Sequence, residues 1–204
     1  NLALRDGSVA TGVVPRTSDI AAKYLETDFP ELEAVETVSV DTPYGAPSDP
    51  LVRGRLGDTT LLFLPRHGRG HRLSPSDINY RANIDVLKRA GVTDLVSLSA
   101  CGSFKPELLP GIFVLVDQFV DRTTGREDTF YDGPQTTHVS AADPYCRDLS
   151  AVLAECGREL EIPVVEGGTE PVRTAGGEPV PATRTGTSAR SASAFAITLH
   201  KRLQ

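Results

Sequence analysis

Methionine is absent from all 204 residues, position 1 included; cysteine occurs three times and histidine four times. Without an initiator methionine, the first numbered residue is not expected to be the translated start. Cys101, Cys146 and Cys156 show neither an even count nor metal-ligand spacing. That excludes a disulfide framework and predicts buried, reduced thiols in a cytoplasmic protein. Four histidines leave little material for a metal site, and none is expected. No apolar run reaches the roughly 18 residues of a membrane span, and no charged-then-apolar signal segment opens the chain. The expected location is therefore cytoplasmic, with no membrane partner.

What remains is the composition of one globular domain: 39% apolar and 24% charged residues. The net charge of −6 is unevenly spread. Residues 1–169 hold 16 Lys+Arg against 25 Asp+Glu, and residues 170–204 hold 5 against 2. An acidic body argues against nucleic acid as a partner.

One stretch, Leu61 to Arg122, organises the chain. Its first apolar run stops at Pro65-Arg66-His67-Gly68-Arg69-Gly70-His71. A buried strand that opens onto cations and glycines delivers positive charge and backbone N–H groups to one point, which is how a fold makes an anion site. Leu51–Leu56 and Thr59–Leu64, with Gly57-Asp58 between them, read as a hairpin. Ser74 as N-cap, Pro75 at the first helical position and Asp77 three residues on predict a helix that Gly91 ends. Tyr80, Ile84, Leu87 and Ala90 form its apolar stripe. Asp94–Ala100 then reads as a strand, completing a parallel βαβ unit, and Ile112–Val116 as another.

A second helix is predicted after Asp143-Pro144, with Leu149, Val152, Leu153, Cys156 and Leu160 on one face and Pro163 as its stop. Val164-Val165 starts a further strand, and Val35–Val40 reads as one more. Residues 1–34 are harder to read; Ser18–Leu25 could begin a short helix. Residues 121–142 read as loop. Residues 170–204 are rich in Ala, Thr, Ser, Pro, Gly and Arg. They read as a low-complexity tail, disordered over 170–192, with the last dozen residues as a short helix. The domain thus covers 1–169. The fold class is α/β: a twisted mixed sheet flanked by helices.

In such sheets ligands bind beyond the carboxyl ends of the strands. Arg66-His67, Ser99-Ala100-Cys101-Gly102-Ser103 and Asp117-Gln118 occupy three of those ends. A guanidinium fork and an imidazole suit phosphate oxygens, and small residues let a ligand approach the backbone. The plain alternatives are a solvated loop, a tight turn, and an Asp117–Arg122 pair. His138 alone reads as a solvated loop histidine. No Ser-His-Asp order, zinc motif or P-loop is present.

Several ordered segments within about residues 31–169 resemble the trimeric purine nucleoside phosphorylase family, in its methylthioadenosine phosphorylase branch. They are DTPYGAPSD (41–49), FLPRHGRGH (63–71), SPSDINYRANIDVLK (74–88), SACGSFKPELLPG (99–111), VDQFVDRTTGR (116–126) and FYDG (130–133). The resemblance implies a nucleoside phosphorylase-like fold, C-terminally incomplete here. It implies a pentosyltransferase of purine and methionine salvage that cleaves the N-glycosidic bond of a purine nucleoside, 5′-methylthioadenosine above others. Inorganic phosphate is the co-substrate, there is no cofactor, and the products are the base and a sugar 1-phosphate. It implies Arg66, His67 and Ala100 as phosphate ligands, and Ser99, Ala100 and His138 as substrate contacts. His138 would reach a neighbouring subunit's sugar pocket, hence a homotrimer.

The sequence departs from the family pattern at both ends. Residues 18–30 hold no glycine where the family has a Gly-Gly-Ser/Thr-Gly phosphate loop. After Thr169 the family's Glu-Gly-Pro, sugar-contacting and base-recognising segments are missing, and the tail has the look of coding DNA read out of frame. The alternative to an active enzyme is therefore a catalytically inactive homologue that keeps part of the phosphate site.

Overall fold

The structure is a computed structural model that describes residues 10–13, 33–131, 133–134, 137–173 and 193–200. The expected Ser18–Leu25 helix lies outside the described residues. The hairpin predicted over 51–64 is present. β3 (Leu51–Leu56) and β4 (Thr59–Phe63) pair antiparallel around Gly57-Asp58, with Leu56 opposite Thr59. β2 (Glu33–Val38) adds antiparallel to β3. On the other side, β1 (Ala10–Val13) lies parallel to both β4 and β5 (Asp94–Gly102). The chain between β4 and β5 contains α1 (Tyr80–Arg89), so the βαβ unit forms with β1 between its two strands.

The start of α1 differs from expectation. Ser74 and Asp77 close an isolated turn: Asp77 N–H donates to the Ser74 carbonyl at 3.0 Å, and Ser74 Oγ to Asp77 Oδ2 at 2.6 Å. The cap is Asn79. Its Oδ1 accepts from Ala82 N–H at 3.0 Å while its Nδ2 donates to the Tyr44 carbonyl at 2.7 Å. A cap that serves an orphan helix donor and a distant loop together outcompetes a local box. The buried residues of α1 are Ala82, Asn83, Val86 and Leu87. Val86 and Leu87 join Leu51, Leu62, Leu64, Val92 and Leu95 in one core cluster, with Ile84 and Ala90 packed partly buried at its margin.

α2 (Arg147–Glu159) also starts later than its sequence signals. Tyr145 is buried with Val114 and Val116, which draws residues 144–146 onto the sheet, and Asp143 pairs with Arg147 instead of capping. The face of α2 turned inward carries Leu149, Ala154 and Gly157, so Val152 and Leu160 point outward at 41% and 62% exposure. Gly157 explains the rotation: a Cβ there would sit 2.4 Å from Val164 Cγ2. Cys146 and Cys156 are free thiols, half-buried.

β6 (Phe113–Leu115) and β8 (Val164–Glu166) pair parallel. β7 (Gln118–Arg122) and β9 (Thr169–Arg173) form a separate parallel pair, so part of the expected 121–142 loop is strand. Ser193–His200, where a short helix was expected, is a strand, β10. It runs antiparallel to β5 and parallel to β6, and two-sided pairing satisfies its backbone where an isolated helix would have had little to pack on. The main sheet therefore has the order β2-β3-β4-β1-β5-β10-β6-β8. Residues 174–192 lie outside the described residues. Among the described residues, no helix is long and apolar enough to cross a membrane.

Candidate active site

β4 and β5 point the same way, so their carboxyl ends fall on the same edge of the sheet. The chain leaves β4 through Leu64, which is 2% exposed, and turns at once. Gly68 N–H donates to the Pro65 carbonyl at 2.7 Å, His71 N–H to Gly68 at 3.0 Å and Leu73 N–H to His67 at 2.9 Å. Gly68 and Gly70 take φ of 71° and 78°, and His71 shares the left-handed region at 53°. Two glycines let the loop fold back on itself within seven residues.

Arg66 crosses from this loop to the second half of β5, which runs on to Gly102, so that Ser99 and Ala100, expected at the strand's end, lie within it. Its Nη1 donates to the Leu98 carbonyl and to Ser99 Oγ, both at 3.1 Å. Its Nε lies 3.3 Å from His67 Nε2, and His67 Nδ1 lies 2.9 Å from the Leu73 carbonyl. Nε2 accepts from a guanidinium, so the ring hydrogen is on Nδ1 and the imidazole is neutral. Burial pushes the His67 pKa below its ordinary value; the Leu73 carbonyl opposes this, and the positive charges of Arg66 and His71 reinforce it. The His71 ring stacks on His67, with centroids 4.3 Å apart and planes 25° apart.

Residues 41–49 lie against this loop. The Asp49 carboxylate accepts from Arg69 N–H, and the Ser48 carbonyl accepts from the Arg72 guanidinium. Farther along, Tyr44 meets Phe130 edge to face at 5.1 Å and lies under the Arg81 guanidinium at 5.4 Å. Arg81 also holds Glu127 and the Thr129 carbonyl. The structure thus brings Arg66, His67 and Ser99 together. Ala100 follows on β5, its backbone in register with Phe195 of β10. His138 lies in an exposed stretch, outside the hydrogen bonds that join the other three.

Two recesses are present, the first bordering the loop through Asp49 and Arg72. One, of about 510 Å³, is lined by Val40, Asp41, Thr42 and Arg72 among others. The other, of about 500 Å³, is lined by Asp117, Tyr145, Arg147 and Glu166 among others. Neither includes Arg66 or His67 in its lining. Asp117 does not pair with Arg122: its Oδ1 accepts from Gly168 N–H at 3.1 Å, which ties the end of β6 to the start of β9. Among the described residues, no group of three or more His, Cys, Asp or Glu side chains is arranged to hold a metal ion. Sequence reasoning assigned no part to Ser48, Asp49, Arg72 or Asn83. For Ser48 and Asp49 the signal was the unbroken 41–49 segment, whose partners Arg72 and Asn83 are distant in the chain.

A family model described as the phosphorylase superfamily matches residues 22–169. The chain belongs to the phosphorylase superfamily. Within it, the sequence sides with the methylthioadenosine phosphorylase branch. It is 57% identical to the S-methyl-5′-thioadenosine phosphorylase of Bradyrhizobium diazoefficiens over 142 residues, 70% of this chain and 49% of that one. The enzyme of that name from Cereibacter sphaeroides is 54% identical, with 68% and 48% covered. A crystal structure of methylthioadenosine phosphorylase sourced from an antarctic soil metagenomic library superposes with a TM-score of 0.66 at 34% identity, covering 81% of this chain and 54% of that one. Methylthioadenosine phosphorylase from Schistosoma mansoni in complex with adenine gives 0.71 at 28% identity, with 94% and 81% covered. The nucleoside phosphorylase fold expected from the sequence is therefore present. The chain spans about half the length of the curated relatives it matches.

Proposed function

We propose that the cluster at the carboxyl ends of β4 and β5 holds inorganic phosphate for cleavage of the N-glycosidic bond of a purine nucleoside, 5′-methylthioadenosine above others. The observation that carries this is Arg66, anchored at once to the Leu98 carbonyl, Ser99 Oγ and His67. An anchored guanidinium beside an imidazole is a preorganised cationic wall for an oxyanion. Arg66, His67 and the Ala100 backbone bind the phosphate, and Ser99 and Ala100 lie where the nucleoside approaches. A phosphate oxygen bonds to C1′ as the C1′–N bond breaks. The base leaves with the bonding pair, takes up a proton and becomes the free purine; the sugar becomes its 1-phosphate. Holding the phosphate against C1′ and stabilising charge as it develops are the protein's contributions.

Phosphate is the co-substrate and no cofactor takes part. His138 serves a neighbouring copy's sugar pocket, which makes the working assembly a homotrimer, and the location is cytoplasmic. A second reading, phosphate binding without turnover, is favoured by one feature: the match to the family model ends at Thr169, and residues 170–204 lie outside it. The experiment is a phosphate titration of the purified chain by calorimetry, with adenine release from 5′-methylthioadenosine followed by chromatography. Phosphate-dependent adenine release supports the first reading. Binding without release selects the second, and absence of phosphate binding overturns both.

A further inference from the structure

We infer that Ser48 and Asn83 are positioning residues that set the height of the anion loop, an inference that rests on the phosphate reading above. Both are buried, at 1% and 4% exposure. Ser48 N–H donates to Asn83 Oδ1 at 2.8 Å, and Asn83 Nδ2 donates to Ser48 Oγ at 2.9 Å. Asn83 stands in the inward stripe of α1, between Ala82 and Val86, where an apolar side chain would need no partner. A buried amide is costly unless its donors and acceptor are matched. Here they are matched by a residue 35 positions away.

Ser48 and Asp49 pass that placement on. The Ser48 carbonyl holds the Arg72 guanidinium and the Asp49 carboxylate holds Arg69 N–H. Gly68 approaches so closely that a Cβ there would stand 3.1 Å from the Ser48 carbonyl oxygen and 2.9 Å from Arg72 Nε. Residues 48 and 49 therefore touch the loop at 68, 69 and 72, all within the turn that the bond from Leu73 N–H to the His67 carbonyl closes. The second end of the 41–49 segment is fixed to the same helix by Asn79 at the Tyr44 carbonyl. The helix core thus sets where His67 and Arg66 stand, through an Asn–Ser pair that touches no anion itself.

The test titrates inorganic phosphate into the full chain, unaltered and as Ser48→Ala, Ser48→Thr and Leu149→Ala, and follows amide hydrogen exchange at Arg69 and Leu73. Ser48→Ala removes one buried hydrogen bond. It is expected to raise the phosphate Kd about tenfold and to speed Arg69 exchange by a similar factor. Ser48→Thr keeps the hydroxyl and is expected to restore both. Leu149→Ala empties the core under α2, away from the loop, and is expected to lower the melting temperature while phosphate affinity holds. The inference is overturned if Ser48→Ala leaves Kd and Arg69 exchange unchanged, or if Leu149→Ala weakens phosphate equally. If the unaltered chain binds no phosphate, the functional reading fails and exchange alone decides: faster Arg69 and Leu73 exchange in Ser48→Ala upholds positioning, and no change sinks it.

Discussion

His67 carries its hydrogen on Nδ1 toward Leu73 and accepts from Arg66 at Nε2. To donate to a phosphate oxygen from Nε2 it must gain a proton or turn away from Arg66. Burial, with Arg66 and His71 beside it, holds the His67 pKa below the ordinary value of about 6.5. A bound dianion acts in the opposite direction. Phosphate binding is therefore expected to raise the His67 pKa and to take up a proton. Ring-proton NMR should show a midpoint below the ordinary value without phosphate and a higher one with it; equal midpoints would remove His67 from the anion's contacts. The stability consequence has one sign. A histidine with a lowered folded pKa favours the folded state above its unfolded pKa, and that advantage fades as pH falls from about 6.5 through the folded value. His67→Asn should flatten the slope of stability against pH in that window, measured by urea unfolding.

Gly68 and Gly57 make a matched pair at the same scale. Both have positive φ, 71° and 58°. A Cβ at Gly57 meets nothing within 4 Å, whereas one at Gly68 meets Arg72 and the Ser48 carbonyl. Alanine at either position carries the left-handed cost of roughly 1–2 kcal/mol. Gly68→Ala is expected to cost more in urea unfolding and to weaken phosphate binding, and Gly57→Ala to leave phosphate affinity alone. Equal losses at both sites would show that the close approach at Gly68 is unimportant.

At the scale of elements, α2 meets β8 through the absence of a side chain. Alanine at 157 would favour the helix by about 1 kcal/mol on propensity alone. Its Cβ would lie 2.4 Å from Val164 Cγ2 and 3.3 Å from Val164 Cβ, and a β-branched side chain has little freedom to yield. Gly157→Ala is therefore expected to destabilise, and Gly157→Ala with Val164→Ala to recover part of the loss, a coupling that a double-mutant cycle measures. Strict additivity would refute the packing argument.

These elements also mark what the sequence could reveal. The β3–β4 hairpin and the strand–helix–strand unit were legible because their apolar periods and turn residues are local. The tight turn after β4 was legible because its glycines are contiguous with its cations. The start of α1 was not, because Asn79 wins through Tyr44, 35 positions away. The inward face of α2 was legible at Leu149 and Leu153 but not at Ala154 and Gly157, because Gly157, with no side chain to count as apolar, is what lets the helix approach. Ser48 and Asn83 look like unremarkable polar residues until their burial against each other is known.

At the scale of the whole molecule, β10 is the join. β5 is bonded to β1 and β10, and β6 to β10 and β8. Among the described residues no other strand connects the β2–β3–β4–β1–β5 side to β6 and β8. Ile197 stands opposite Leu98 on one side and Leu115 on the other. A proline there removes a backbone donor from the centre of a sheet and fixes φ where a strand is more extended. Ile197→Pro is expected to release β6, β8 and α2 from the rest, so that amides of 113–115 lose protection while those of 59–63 in β4 keep it. The Leu98 carbonyl that anchors Arg66 belongs to β5 at this same register. Loosening β5 should therefore also weaken phosphate binding, although residue 197 is not part of the anion cluster. If Ile197→Pro leaves 113–115 protected as in the unaltered chain, the sheet is held by something other than β10.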